Sequence, residues 1–194
     1  YERTKTLSDR AARQAIADGF PLSVVYPGVI YGPGEMTEGN IVVHHILDLL
    51  HRRLPALLGR PERRWNYVFV DDVADGIARV LESATPGTRW VLGGENVTQE
   101  AFYREVAEQT GARIPKLRMP PLLGKLAGAL MKSVARLRGT TPQLTPDLVE
   151  VYEHDWALSS AAAERELGYS PRSLAEGLAT TTAWLRETDA WPKR

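Results

Sequence analysis

Residues 21–34 have the sequence PLSVVYPGVIYGPG, and this stretch decides the fold class. Its apolar run, 22–25, follows a segment with helical spacing of apolar residues, 1–18. An apolar run directly after a helix is typical of a buried parallel strand. Pro27 and Gly28 end the run, because this pair turns the backbone sharply. The pattern therefore predicts an α/β fold.

The remaining periodicity predicts a chain of alternating elements. Strands are expected at 29–31, 65–70 and 90–92, and helices at 40–53, 73–83, 99–110, 122–137, 159–167 and 174–186. Only one or two of these strands have the composition of deeply buried strands, whereas a doubly wound sheet needs several. We therefore expect further strands to come from sequence upstream of residue 1.

Composition limits the functional class. The 194 residues carry 24 basic and 24 acidic side chains, so no global field favours nucleic acid. Cysteine is absent, which excludes disulfides and thiolate chemistry and favours a reducing compartment such as the cytoplasm. No apolar run reaches the roughly 20 residues that a transmembrane helix needs. The chain begins at a tyrosine, so any targeting segment, including one for an organelle, is expected upstream.

Tyr1 and Lys5 are the first candidates for chemistry. They lie four residues apart on a predicted helix, so both side chains project from one face. An ammonium beside a phenol favours the phenolate and lowers the pKa of the tyrosine. Such a tyrosine can exchange a proton with an alcohol or carbonyl near neutral pH. Alone, this spacing is weak evidence, because an exposed helical Tyr/Lys pair is common.

The order of several motifs makes the signal specific. The Tyr-x-x-x-Lys pair, the stretch 21–34, YVFVDDVA at 67–74 and the tail 161–177 follow one another along the chain. This layout resembles the extended short-chain dehydrogenases/reductases, the NAD-dependent epimerase/dehydratase family. Within that family, the motifs GN at 39–40, RRW at 63–65 and GGEN at 93–96 look most like the dihydroflavonol reductase-like branch, which includes farnesol dehydrogenase-like enzymes.

The resemblance implies a fold and a cofactor. The chain would be the C-terminal part of a doubly wound Rossmann-type parallel sheet plus a smaller, mainly helical substrate-binding lobe. Residues 1–95 would hold the remainder of the Rossmann-type domain, and 96–194 mainly the lobe, with interleaved boundaries. NAD or NADP would be the cofactor, cradled by an upstream glycine-rich segment. A homodimer through the Tyr/Lys helix is also implied.

The resemblance assigns roles to individual residues. Tyr1 matches the catalytic acid/base, and Lys5 matches the residue that supports it and binds the nicotinamide ribose. The strand end that meets the nicotinamide corresponds to Pro27, Gly28 and Val29. The residues expected near the substrate are Tyr31, Asn40 and Trp65.

Departures from the family pattern bear on the substrate. Trp65 stands where nucleotide-sugar enzymes of the family have an arginine that grips the substrate diphosphate. An indole cannot replace a guanidinium fork on phosphate, so an apolar or aromatic substrate is favoured. Tyr26 and Phe69 replace a frequent arginine and a common histidine of the family, and neither change touches the Tyr/Lys chemistry.

Metal binding is not expected. His44 and His45 are adjacent and point about 100 degrees apart on a helix. His51 shares a face with His44 but has no clear carboxylate partner in the sequence. The acidic cluster of Asp71, Asp72 and Asp75 is explained more simply by helix capping at its first two members.

Residues 122–138 form an amphipathic stretch with leucines on one side and basic residues on the other. Core packing of the leucines is the simplest expectation. The alternatives are a lid over an apolar substrate and a surface that rests on a membrane or partner.

Three functions follow from these observations. The first is an oxidoreductase that moves hydride between nicotinamide and an apolar or aromatic alcohol or carbonyl compound. The second is a nucleotide-sugar epimerase or dehydratase of the same fold. The third is a non-enzymatic subunit of a larger assembly. The chain alone is expected to be inactive, because it lacks the cofactor cradle.

Overall fold

Thirteen elements make up the part of the chain that the computed structural model describes, residues 2–37, 39–83, 85–140, 142 and 144–192. The strands are β1 (Val24–Pro27), β2 (Val29–Tyr31), β3 (Arg64–Phe69), β4 (Arg89–Leu92) and β5 (Glu95–Thr98). The helices are α1 (Glu2–Ala17), α2 (Ile41–Leu50), α3 (Val70–Ser83), α4 (Gln99–Thr110), α5 (Pro121–Arg138), α6 (Pro146–Val151), α7 (Ala161–Leu167) and α8 (Leu174–Arg186).

The strands form two ladders. β1 pairs with β4 in parallel, and β2 pairs with β3 in parallel while β5 joins β3 from the other side, antiparallel. The chain passes from the first ladder to the second at Gly28, between β1 and β2, and again at Gly93 and Gly94, between β4 and β5. The predicted α/β class with parallel strands is therefore confirmed.

Two groups of buried side chains hold the helices on these ladders. The larger group joins β2, β3, α2, α4 and α8, and the smaller joins β4 to α3 and α7. Phe69 sits in the larger group, edge-on to Tyr31 with ring centroids 5.7 Å apart. β5 and α4 pack into the same core as β2 and β3. The proposed division at residue 95 stays a prediction.

Several helices begin where the sequence predicts. The hydroxyl of Thr98 accepts a hydrogen bond from Ala101 N at 3.2 Å, and α4 ends at the left-handed Gly111. Ser173 and Glu176 form a reciprocal capping box at the start of α8. Both helices have the predicted bounds, because the side chain that caps each is local.

The predicted capping by Asp71 and Asp72 is wrong. α3 begins at Val70, three residues earlier than expected, so both aspartates lie inside its first turn. Asp72 is buried and accepts hydrogen bonds from Arg172 N at 3.0 Å and from Arg172 Nε at 2.9 Å. Its carboxylate therefore ties the start of α3 to the tail before α8.

The simplest expectation for α5, that its leucines pack in the core, is also wrong. The buried residues of this helix are Gly124, Gly128 and Ala135. A Cβ at Gly128 would lie 2.7 Å from the backbone of Thr145, so α6 and its preceding residue pack directly on the bare side of α5. The leucines consequently point away from the protein.

Candidate functional site

Of the predicted Tyr/Lys pair, Lys5 falls within the described residues. Tyr1 is outside the described residues, so its predicted role stays a prediction. Lys5 lies in the first turns of α1 with its side chain exposed. α1 is held against β1 by Tyr26, whose hydroxyl donates to Asp9 Oδ1 at 2.5 Å. This hydrogen bond lowers the pKa of Asp9, and the neighbouring Arg13 lowers it further. Tyr26 thus orients the Lys5 helix relative to the strand that ends at Pro27.

The strand end at Gly28 is fixed by Asn66. Asn66 is buried in β3, and a Cβ at Gly28 would lie 2.2 Å from its Oδ1 atom. The same oxygen accepts from Gly94 N at 2.9 Å, while Nδ2 donates to Gly94 O at 3.0 Å and to Asn96 Oδ1 at 2.9 Å. The Asn66 amide therefore contacts both places where the chain passes from one ladder to the other, Gly28 and Gly94.

A cleft of about 230 Å³ opens at this junction. Three predicted cofactor residues, Pro27, Gly28 and Val29, come together here with one predicted substrate residue, Trp65. The residues that line the cleft are Pro27, Gly28, Val29, Trp65, Asn66, Val151, Trp156 and Leu158. Most of its wall is apolar, which suits an apolar ligand better than a charged one.

The far wall of the cleft was not predicted. Trp156 N donates to Arg64 O at 2.7 Å, and its indole Nε1 donates to Val151 O at 2.9 Å. Leu158 is held by Asn96, whose side chain bonds both its N–H and its C=O. The isolated tryptophan in a polar segment, and the single polar residue inside an aromatic strand at Asn66, were the signals that could have revealed these positions.

Trp65 is stacked within an aromatic cluster. Its ring lies 4.7 Å from that of Tyr152 at an angle of 22°, and 6.5 Å from that of Tyr67. Arg64, the neighbouring guanidinium, pairs with Asp155 at 3.2 Å and is not part of the cleft wall. The Arg64 backbone N–H and the guanidinium lower the pKa of Asp155. The cationic group closest in sequence to Trp65 is therefore engaged elsewhere.

Tyr31 and Asn40 do not line the cleft, and their place near the substrate stays a prediction. Tyr31 is 2% exposed, and its hydroxyl donates to Leu174 O at 3.4 Å in the core. This burial raises the pKa of Tyr31. Asn40 precedes α2 and its Nδ2 donates to Gly32 O at 3.4 Å. Both side chains hold the segment after β2 instead.

The histidines contact protein groups. His44 Nε2 lies 3.0 Å from Thr37 O, and His51 Nε2 lies 2.9 Å from Ala190 O. His45 Nε2 lies 3.4 Å from the Tyr152 hydroxyl, and burial lowers the pKa of His45 to about 4. Among the described residues, no group of three or more histidines, aspartates or glutamates is placed to hold a metal ion. None of the helices described has the length and apolar character to span a bilayer.

Parallel strands whose ends meet at one cleft, with helices packed on them, place the chain in the Rossmann-like α/β class. Residues 1–93 match the profile of the NAD dependent epimerase/dehydratase family. By this profile, the chain is similar to this family, the extended short-chain dehydrogenases/reductases, over just under half of its length.

Relatives extend the match over nearly all of the chain. Sterol demethylase protein B of Methylococcus capsulatus is 28% identical over 191 residues, which cover 96% of this chain and 56% of that protein. A Synechocystis protein named "Putative dihydroflavonol 4-reductase" is 26% identical, over 96% of this chain and 54% of its own length. The chain thus spans just over half the length of these relatives.

Solved structures show the same fold. The crystal structure of gox2253 matches with a TM-score of 0.74 and 27% identity, over 95% of this chain and 55% of that one. DesIV, a dTDP-glucose 4,6-dehydratase from Streptomyces venezuelae solved with NAD and TYD bound, matches with a TM-score of 0.71 and 24% identity, over 98% of this chain and 52% of that one. The fold is thus shared with a protein named for nucleotide-sugar dehydration.

Proposed function

We propose that the protein containing this chain is an NAD(P)-dependent oxidoreductase acting on an apolar or aromatic alcohol or carbonyl compound. The observation that supports this proposal most is the shared cleft, in which the predicted nicotinamide-facing strand end lies beside Trp65. The chain spans only part of its relatives' length, so the activity belongs to the longer protein.

The residues present fit a nicotinamide. Gly28 contributes only backbone to the cleft wall, and Asn66 fills the space on its other side, so the strand end is held in place beside the cleft. Pro27, Gly28 and Val29 would face the carboxamide, and Lys5 would bind the ribose. When bound, the cofactor would supply a hydride acceptor or donor. The dinucleotide phosphates would be held by upstream sequence.

The proton transfer is assigned to Tyr1. Its phenol would give a proton to a carbonyl oxygen in reduction, or take one from an alcohol in oxidation. Lys5, one helical turn away, would stabilise the phenolate by opposite charge. Tyr26 would hold both residues in position relative to the strand end, because it fixes α1 to β1. A homodimer through α1 is part of this proposal, with Leu7 exposed on that helix.

The substrate class follows from the cleft wall. Apolar surface is offered by Trp65, Val151, Trp156 and Leu158, and no guanidinium or ammonium group lines the wall among the described residues. A relative named for sterol demethylation agrees with an apolar substrate. Nucleotide-sugar dehydration is the second candidate, supported by the likeness to DesIV. Trp65 weighs against it, because an indole cannot bind a diphosphate as a guanidinium does.

The test uses the full-length protein and the absorbance of NAD(P)H with a series of apolar alcohols and ketones. Tyr1→Phe should abolish turnover, and Lys5→Met should reduce kcat about a hundredfold or more. Lys116→Met, an exposed lysine outside the cleft wall, is the matched control. Turnover that survives Tyr1→Phe would remove Tyr1 from the mechanism. Binding of a nucleotide sugar in preference to every apolar compound would favour the second candidate.

A further inference from the structure

The outward side of α5 carries a continuous apolar stripe. At about 100° per residue, its members fall within an arc of roughly 120°. The five leucines of the stripe are between 56% and 88% exposed. We call this surface the leucine stripe, formed by Leu122, Leu123, Leu126, Leu130, Val134 and Leu137.

The stripe cannot turn inward without breaking a close contact. Gly124 and Gly128 occupy the opposite side of the helix and pack on α6. A Cβ at Gly128 would lie 2.7 Å from the backbone of Thr145, so no larger residue fits there. The small residues therefore fix which side faces the protein, and the leucines are held outward.

The charge around the stripe is positive. α5 contains four basic residues and no acidic one. Lys125 pairs with Glu150, and Lys132 with Asp147 at 3.6 Å, both across to α6. Arg136 and Arg138 are exposed in the last turn and form no ion pair within the described part of the chain. Since the whole chain has a net charge of zero, this positive end is a local feature.

We propose that α5 lies on the surface of an anionic lipid bilayer, with its leucine stripe in the boundary between headgroups and acyl chains. Helices with this behaviour combine an apolar side of leucines with lysines and arginines beside it. Anionic headgroups complement Arg136 and Arg138. A protein partner is less well matched, because such interfaces concentrate tyrosine, tryptophan and arginine at their centre, and α5 has no aromatic residue.

This surface is physically connected to the cleft. α5 packs on α6, and α6 ends at Val151, which lines the cleft. Val149 of α6 also lies 3.2 Å from the position of a Cβ at Gly124. A bilayer under α5 would therefore place the cleft one helix away from a reservoir of apolar molecules. The inference goes beyond the proposed oxidoreductase function, and its test measures binding and not turnover.

The experiment is flotation of the full-length protein with vesicles of phosphatidylcholine, alone or mixed with phosphatidylglycerol. The protein should float with the mixed vesicles, and less with the neutral ones. Leu126→Ser combined with Leu130→Ser should lower the bound fraction at least about tenfold, because two side chains leave the buried apolar area. Arg136→Gln should weaken binding to mixed vesicles about fivefold and leave neutral vesicles unaffected.

Leu81→Ser is the matched control, because Leu81 is 81% exposed on α3 and outside the stripe. It should bind like the unaltered protein. Failure to float with either vesicle, or equal binding by the double variant, would overturn the proposal. Loss of a dimer on the double substitution, seen by sedimentation, would assign the stripe to a second copy. A last check labels the thiols of Leu130→Cys and Leu81→Cys in lipid-free protein. Weak labelling at position 130 with strong labelling at position 81 would show that another part of the protein covers α5, and this result would also overturn the proposal.

Discussion

Oδ1 of Asn66 occupies the space beside Gly28 that any larger residue would need, since a Cβ there would lie 2.2 Å from this oxygen. The same oxygen accepts the Gly94 N–H at 2.9 Å. The strand end that faces the predicted nicotinamide is therefore positioned by a buried amide on the adjacent strand. Asn66 acts through the backbone, as a positioning residue.

Gly28→Ala should destabilise the protein by about 3 kcal/mol, because an overpacked site forces neighbours to shift. Asn66→Ala should cost about 2 kcal/mol, since it leaves the part-buried N–H of Gly94 without its acceptor. The double variant should lose less free energy of unfolding than the two single variants together, because the alanine at 66 removes the clashing oxygen. Urea unfolding of the four proteins measures this coupling.

A structural role alone would change stability only, so the KM for NAD(P)H is measured as well. Asn66→Ala should raise that KM about tenfold with a smaller change in kcat, because the strand end loses its fixed position. Asn66→Asp keeps the acceptor for Gly94 N but sets a second oxygen against Gly94 O and Asn96 Oδ1, so it should not recover the loss. An unchanged KM in Asn66→Ala would restrict Asn66 to a role in stability.

Trp156→Ala should raise the KM for an apolar substrate about tenfold, because the cleft loses one of its apolar walls. The KM for NAD(P)H should stay within about twofold. Phe20→Ala, which removes an exposed aromatic side chain at the end of α1, is the control and should change neither constant. Initial-rate kinetics measure both constants. An equal rise in the KM for the apolar substrate and for NAD(P)H would place Trp156 outside the substrate site.

Arg172→Ala should lower the free energy of unfolding by about 3 kcal/mol, because it leaves the buried carboxylate of Asp72 without its charge partner. The guanidinium also lies 4.1 Å from the ring centroid of Phe69, so lysine should restore only part of the loss. Arg64→Ala breaks an exposed pair with Asp155 and should cost less than about 1 kcal/mol. Similar losses at both positions would contradict this distinction.

His45 should make stability fall as the pH is lowered from 6.5 towards 4. Burial lowers its pKa from 6.5 to about 4 in the folded protein, and the nearby Asp48 offsets this only in part. The unfolded chain therefore takes up a proton first, and unfolding is favoured across that window by about 2–3 kcal/mol. His45→Gln should flatten the profile in urea titrations from about pH 7 to 5. A profile unchanged by the substitution would exclude His45 as the cause.

Local signals predicted the helices whose ends are determined locally. α4 and α8 have the expected bounds because Thr98 and Ser173 cap them. β5 was missed, since its four residues ENVT have little apolar character and its pairing depends on β3. α6 is absent from the predicted helices, although Pro146 after Thr145 is itself a helix start.

The cleft residues that belong to local sequence motifs were predicted, and those brought in by distant contacts were not. Pro27, Gly28, Val29 and Trp65 follow motifs of the family, and the structure brings them into one cleft. Trp156 reaches that cleft through long-range contacts with β3, so the sequence shows a lone tryptophan in a polar segment but not where it lies. The predicted orientation of α5 was wrong, because periodicity shows that a helix has two different sides but not which of them packs. Two glycines, Gly124 and Gly128, allow the close contact with α6 and so determine the packed side.

The tail that precedes α8 closes contacts made far away in the chain. Tyr169 donates its hydroxyl to Gly93 O across 76 residues, and Arg172 reaches Asp72 across 100. During synthesis, Gly93 and Asp72 therefore lack these two hydrogen bonds until the tail has emerged from the ribosome. We expect a chain shortened to end before residue 169 to be cut by proteases faster than the whole chain, because the start of α3 and the end of β4 have lost their distant partners.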